Sequence, residues 1–162
     1  MKKFLQKKLK DQKGMTLIEL LAVIVIIAII AAIAIPAIAG IIENSRVGAI
    51  KSDATNILNA ADLYNTEATP GTSVTLFQLE SAGFIEDSGS FEGLSETEKK
   101  AVSINLATGQ FTGTNEPLNG ITIAFEAATK NDISRLPNSA ENGAYVADPV
   151  YAAGTSITVS GR

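Results

Sequence analysis

Two hydrophobic patterns follow one another along the first 64 residues. From Leu20 to Ile42 every position is apolar or small, with no charge in 23 residues. A helix over that run would be roughly 35 Å long at ~1.5 Å per residue, against a bilayer hydrocarbon core of about 30 Å. Being apolar on all sides, it has no water-facing stripe. After Ile42 the pattern becomes amphipathic. Val47, Ile50, Ala54, Ile57, Ala61 and Tyr64 recur at alternating steps of three and four, with Asn44, Arg46, Lys51, Asp53, Asn56 and Asp62 on the remaining faces. This predicts one narrow core-facing stripe on a continuing helix. A helix from Met15 to Tyr64 would measure roughly 75 Å, and Thr69-Pro70-Gly71 ends it.

The rest of the chain reads as short elements. Ser73 to Gly83 predicts a short helix with Ser73 near its cap and Gly83 as its stop. Glu86 to Leu94 is a polar loop, and Ser95 with Glu98 offers a capping box. Val102, Ile104 and Leu106 alternate with polar residues. Ala107-Thr108-Gly109 then turns the chain into Gln110 to Thr112, a β-hairpin. Asn119-Gly120 is a second turn signal before Ile121, Ile123 and Phe125. Thr155 to Ser160 is a last strand. Periodicity is poor over Ala127 to Asn142 and Gly143 to Gly154, so loops are expected there, with a short strand at Ala144 to Val146. The fold class is therefore α+β, a long N-terminal helix packed on an antiparallel sheet of three to five strands.

Charge sharpens the picture at the N-terminus. Six of the 13 basic residues and one of the 17 acidic ones precede Gly14, so the remainder holds seven basic and 16 acidic residues, net −9. A basic flank keeps the N-terminus cytoplasmic and sends the rest outward. The acidic remainder disfavours phosphate-dominated nucleic-acid binding. Cysteine and histidine are absent, which removes disulfides, thiolate metal sites and the commonest general base. There is no nucleophile elbow, phosphate loop or dinucleotide fingerprint, so an enzyme is not expected, and no cofactor is implied. Asn131, Asp132, Glu141, Asn142 and Asp148 offer oxygens to calcium but without EF-hand spacing; a solvated acidic loop is the plainer reading. Leu136-Pro137-Asn138-Ser139 is not a sortase signal.

Glu19 stands at the head of the apolar run. An ordinary signal peptide would account for the basic flank and for Ala37-Ile38-Ala39 as a cleavage pattern, but not for the acid or for so long an apolar run. Lys13-Gly14-Met15-Thr16-Leu17-Ile18-Glu19 with the run that follows resembles the class III signal of type IV pilins and pseudopilins. Pro36 and, more loosely, the Thr75-Leu76-x-x-Leu79-x-x-Ala82-Gly83-x-Ile85 phrase add to the likeness. The resemblance implies that a prepilin peptidase cuts after Gly14 and N-methylates Met15. It implies that Glu19 pairs with the Met15 amine of a neighbouring subunit, and that the helix kinks or melts near Pro36 and Gly40. The chain then divides into a leader (1–14), an anchor and filament-core helix (15–42), its amphipathic continuation (43–65) and a globular domain (66–162). The expected partners are copies of itself in a helical filament, the peptidase, an assembly ATPase with its membrane platform, and lipid before assembly. The precursor would be single-pass, with its C-terminal domain outside, and the assembled product a surface pilus serving adhesion or motility. The missing disulfide leans toward a Gram-positive source. Alternatives are a pseudopilin of a secretion or DNA-uptake system and a membrane-tethered binding module.

Overall fold

The computed structural model describes residues 2–67, 71–139, 142–146 and 154–161, with side chains from Leu17 onward and without those of 144–146. The chain separates into two compact units, 1–41 and 42–162. Helix α1 (Lys2–Glu67) supplies the described residues of the first and opens the second. Its end lies just before the Thr69-Pro70-Gly71 stop.

In the second unit the elements are β1 (Ser73–Thr75), α2 (Leu76–Ser81), a 3-10 turn (Gly89–Phe91), α3 (Glu96–Ala101), β2 (Ser103–Asn105), β3 (Gln110–Thr114), β4 (Thr122–Ala128), α4 (Lys130–Arg135), β5 (Gly143–Val146) and β6 (Ser156–Ser160). The strands form one antiparallel sheet in the order β1-β2-β3-β4-β6-β5. The α+β class and the long N-terminal helix are as expected. So are the β2–β3 hairpin, with Ile104 opposite Phe111, and the strands β5 and β6. Asn119 and Gly120 both take positive φ (52° and 92°), as a primed turn requires.

Two expectations are corrected. Ser73 does not cap a helix. Ser73 to Thr75 is an edge strand paired with β2, Val74 opposite Ile104, and it makes the sixth strand. The helix starts three residues later, where Thr75 Oγ1 accepts from Gln78 N and Gln78 Oε1 accepts from Thr75 N. The β-branched Val74 fits a pleated, half-buried surface better than a helix turn. The end of that helix is as read, because Gly83 N donates to Glu80 O and Phe84 N to Leu79 O, a Schellman closure. The second correction is α4, which lies within a stretch expected to be loop. Thr129 and Asp132 form its capping box, and Ile133 and Leu136, three apart, are buried. Six residues are too few for a helical period to register. The rest of the expected 143–154 loop lies at 147–153, outside the described residues.

The predicted stripe on α1 is the spine of the core. Val47, Ile50, Ala54, Ile57 and Ala61 are fully buried, and Tyr64 packs at the margin against Phe84. They join Ile104, Phe111, Ile123, Phe125, Ile157 and Val159 from one sheet face in a single cluster. Phe111 packs edge-on against both Phe91 and Phe125, with ring centroids 5.7 and 5.5 Å away. Asn115, buried between β3 and β4, accepts from Ile123 N and donates to Ile121 O, so its polarity is matched.

The polar residues of α1 are not a uniformly solvated face. Lys51 Nζ donates to Leu136 O and to Asn138 Oδ1, stopping the carbonyl end of α4. Partial burial holds its pKa below the ordinary lysine value. Asp53 Oδ2 accepts from Ser90 N at 2.8 Å and caps the 3-10 turn. Asp62 pairs with Lys130. Gly89 makes the Asp53 contact possible. Its φ is +61°, and a Cβ there would stand 2.4 Å from Asp53 Cγ. Gly89→Ala is expected to lower the stability of the detergent-solubilised chain by about 1–3 kcal/mol. Gly83→Ala, with open space around its Cβ, should cost about 1–2 kcal/mol, from the left-handed backbone alone. Thermal unfolding of both variants checks the order.

Candidate functional site: the apolar segment of helix α1

The residues singled out for processing and assembly, Gly14, Met15, Glu19, Pro36 and Gly40, all fall on the first unit. Gly14 and Met15 are helical in backbone, and their side chains lie outside the described residues. From Leu17 to Ile42 every leucine, isoleucine and valine is exposed, from 44 % at Ile42 to 73 % at Leu17. In a globular fold such side chains are buried, at about 1.5–3 kcal/mol each. Leaving the whole run in water would therefore cost on the order of tens of kcal/mol. Something outside the chain must cover this helix. Among the described residues it is the one helix long and apolar enough to cross a membrane.

Glu19 is exposed near the start of this segment and makes no hydrogen bond or ion pair to any described residue. An uncompensated carboxylate is costly in lipid or in a packed helix bundle. Pro36 lies within the helical run, where its ring removes one donor and crowds the preceding turn. Gly40 has open space around its Cβ position. Ala31 and Ala34 are half-buried among exposed neighbours.

No metal-ligating group of three carboxylates occurs among the described residues. Of the oxygens considered for calcium, Asp132 is buried and accepts from Thr129 N and Thr129 Oγ1 in the cap of α4. Asn131 and Asn142 are exposed, and Glu141 and Asp148 lie outside the described residues.

A basic leader, a glycine, an acid five residues on and an unpartnered apolar helix define a class III signal protein, anchored in the membrane by that helix. Residues 9–35 match the family model of the prokaryotic N-terminal methylation motif. The match covers this segment alone, and there the chain is similar to type IV pilin-like and pseudopilin proteins. No curated protein and no solved structure gives a significant match.

Proposed function

We propose that the chain is the structural subunit of a type IV pilus. A prepilin peptidase cleaves after Gly14 and methylates the Met15 amine. The mature subunit waits in the membrane through Leu20 to Ile42, with its acidic domain outside. It then leaves the bilayer to bury the same segment against other copies. The observation that carries this reading is the Leu17–Ile42 surface, whose leucines, isoleucines and valines are all exposed and whose one charge, Glu19, has no partner among the described residues. A plain anchor has no use for that acid. A polymer does, because the Met15 amine of a second copy neutralises it only at one axial offset. Lateral association thereby acquires a register.

Apolar burial passes from lipid to protein in this step, so the driving force comes from side-chain packing and from the ion pair. The subunit has no nucleotide-binding loop, so the work of extraction falls to an ATP-driven assembly machine. The reading is tested by mass spectrometry of the chain from its native cell together with recovery of sheared surface filaments. The expected result is a mature chain beginning at N-methylated Met15, present as the main component of the filaments. A start at Gly40 would mean ordinary signal cleavage and would end the filament reading. A methylated Met15 without surface filaments would assign the chain to a pseudopilus instead.

A further inference from the structure

Resting on the filament reading, we propose that a groove on the globular unit receives Arg46 of a second copy, making a subunit contact separate from the apolar helix. The groove has a volume of about 740 Å³ and lies between the α3–β2 junction, strands β3 and β4, and the 115–117 loop. Its floor is apolar, with Val102, Phe125 and Pro117 among its lining. Glu98, Glu116 and Glu126 stand around it. None of the three forms a salt bridge with a described residue. Glu98 is occupied in the α3 cap, where donation from Ser95 holds its pKa below the ordinary value and keeps it charged. The groove therefore fits a side chain with an apolar stem and a cationic head.

The occupant is found by asking which cation among the described side chains is free. Lys51 is spent on α4, Lys99 on Glu80, Lys100 on Glu96 and Lys130 on Asp62. Arg135 also has an interaction of its own. Arg46 has none with any described residue. It is half-buried on α1, four residues beyond the apolar segment. Arg46 is not among the residues that line the groove, so a cation without a partner among the described residues and a groove whose acids form no salt bridge with them would meet between copies as a head-to-tail contact, the kind that propagates into a filament.

The spacing along α1 sets the offset that such a contact needs. Glu116 N donates to Ser90 O, and Ser90 N donates to Asp53, so the Glu116 end of the groove is tied to α1 at Asp53. Arg46 lies seven residues before Asp53, about 10 Å along the helix. A copy shifted by that amount toward the C-terminal end of its neighbour's α1 brings Arg46 level with Glu116.

The test is a charge swap in the full chain in its native host. Arg46→Glu and Glu116→Arg are each expected to lower the recovered filament by at least about tenfold, and the double variant to restore most of it. Either single variant at wild-type yield, or a swap no better than the singles, overturns the proposal and leaves the filament reading standing. Wild-type chain matured at Met15 but forming no filament overturns both. Protease resistance of the membrane pool monitors folding. Should the swap fail that check, the pair Arg46→Cys with Glu116→Cys decides, since the chain has no cysteine of its own. Oxidised filaments should then run as a ladder of linked subunits that neither single variant gives. Filaments of the double variant without a ladder would rule the contact out.

Discussion

Replacing Glu19 by alanine is expected to reduce recovered filament about a hundredfold or more while leaving cleavage after Gly14 intact. The carboxylate has no partner among the described residues of its own chain and sits on an otherwise apolar helix. In the membrane it is a cost of up to about 2.5–3.5 kcal/mol at the helix centre and less near an end. The variant precursor should therefore insert at least as well as wild type. In the proposed filament the same acid would face the Met15 amine of a neighbour. Removing one member of such a buried pair costs about 3–5 kcal/mol, because a lone ammonium stays in an apolar bundle. At about 1.4 kcal/mol per factor of ten, this is two to three orders of magnitude for each contact. Glu19→Gln keeps the shape and loses the charge, so it should fail almost as badly. Glu19→Asp should retain part of the yield. Immunoblots of sheared and membrane fractions, with N-terminal mass spectrometry on both, provide the measurement. Normal piliation in Glu19→Ala would sink the register argument and favour a tethered binding module.

The second large effect concerns the globular unit. Phe111→Ala is expected to destabilise it by about 3–5 kcal/mol, the range for emptying a buried aromatic site. Phe111 is fully buried, and it links the Phe91 ring of the 3-10 turn to Phe125 of β4. Its loss opens a cavity between elements that cannot collapse independently, since β3 is held on one side by β2 and on the other by β4. Small domains are stable by only about 5–15 kcal/mol, so the variant should sit close to unfolding at growth temperature. Leu63→Ala is the matched control. Leu63 lies on α1 at 48 % exposure, and its loss should stay within about 0.5 kcal/mol. Thermal unfolding of the detergent-solubilised chains, followed by near-ultraviolet circular dichroism, compares the two. Equal midpoints would mean that the aromatic chain does not hold the sheet to the turn.

How much could be read in advance depends on whether a signal is local. The α1 stripe was legible because its period runs over five turns. The Gly83 stop and the Ser95–Glu98 cap were legible because each is closed within a few residues. The β2–β3 hairpin and the Asn119-Gly120 turn were legible for the same reason. Strand β1 was not, since three residues become a strand only when β2 offers a ladder. Helix α4 was hidden by its length, although Thr129 and Asp132 stood at capping-box spacing. The uses of Lys51, Asp53 and Asp62 were equally hidden. On sequence they are polar positions of a helix. Their partners Leu136, Ser90 and Lys130 lie far along the chain and meet them only after folding.

By itself, then, the sequence determined the apolar run, its charge-free length, the acid at its head, the basic flank and the glycine before Met15. These are properties of consecutive residues, and no fold is needed to state them. Tertiary structure decided the rest. It seated the amphipathic half of α1 against one face of the sheet, inserted β6 between β4 and β5, and spent Lys51, Lys99, Lys100 and Lys130 on carboxylates and carbonyls of the same chain. It also left Arg46 without an interaction, and Glu116 without a salt bridge, among the described residues. The physical reason is that pairing and burial are set by distances in space. Residues dozens of positions apart acquire a distance only when the core closes around them.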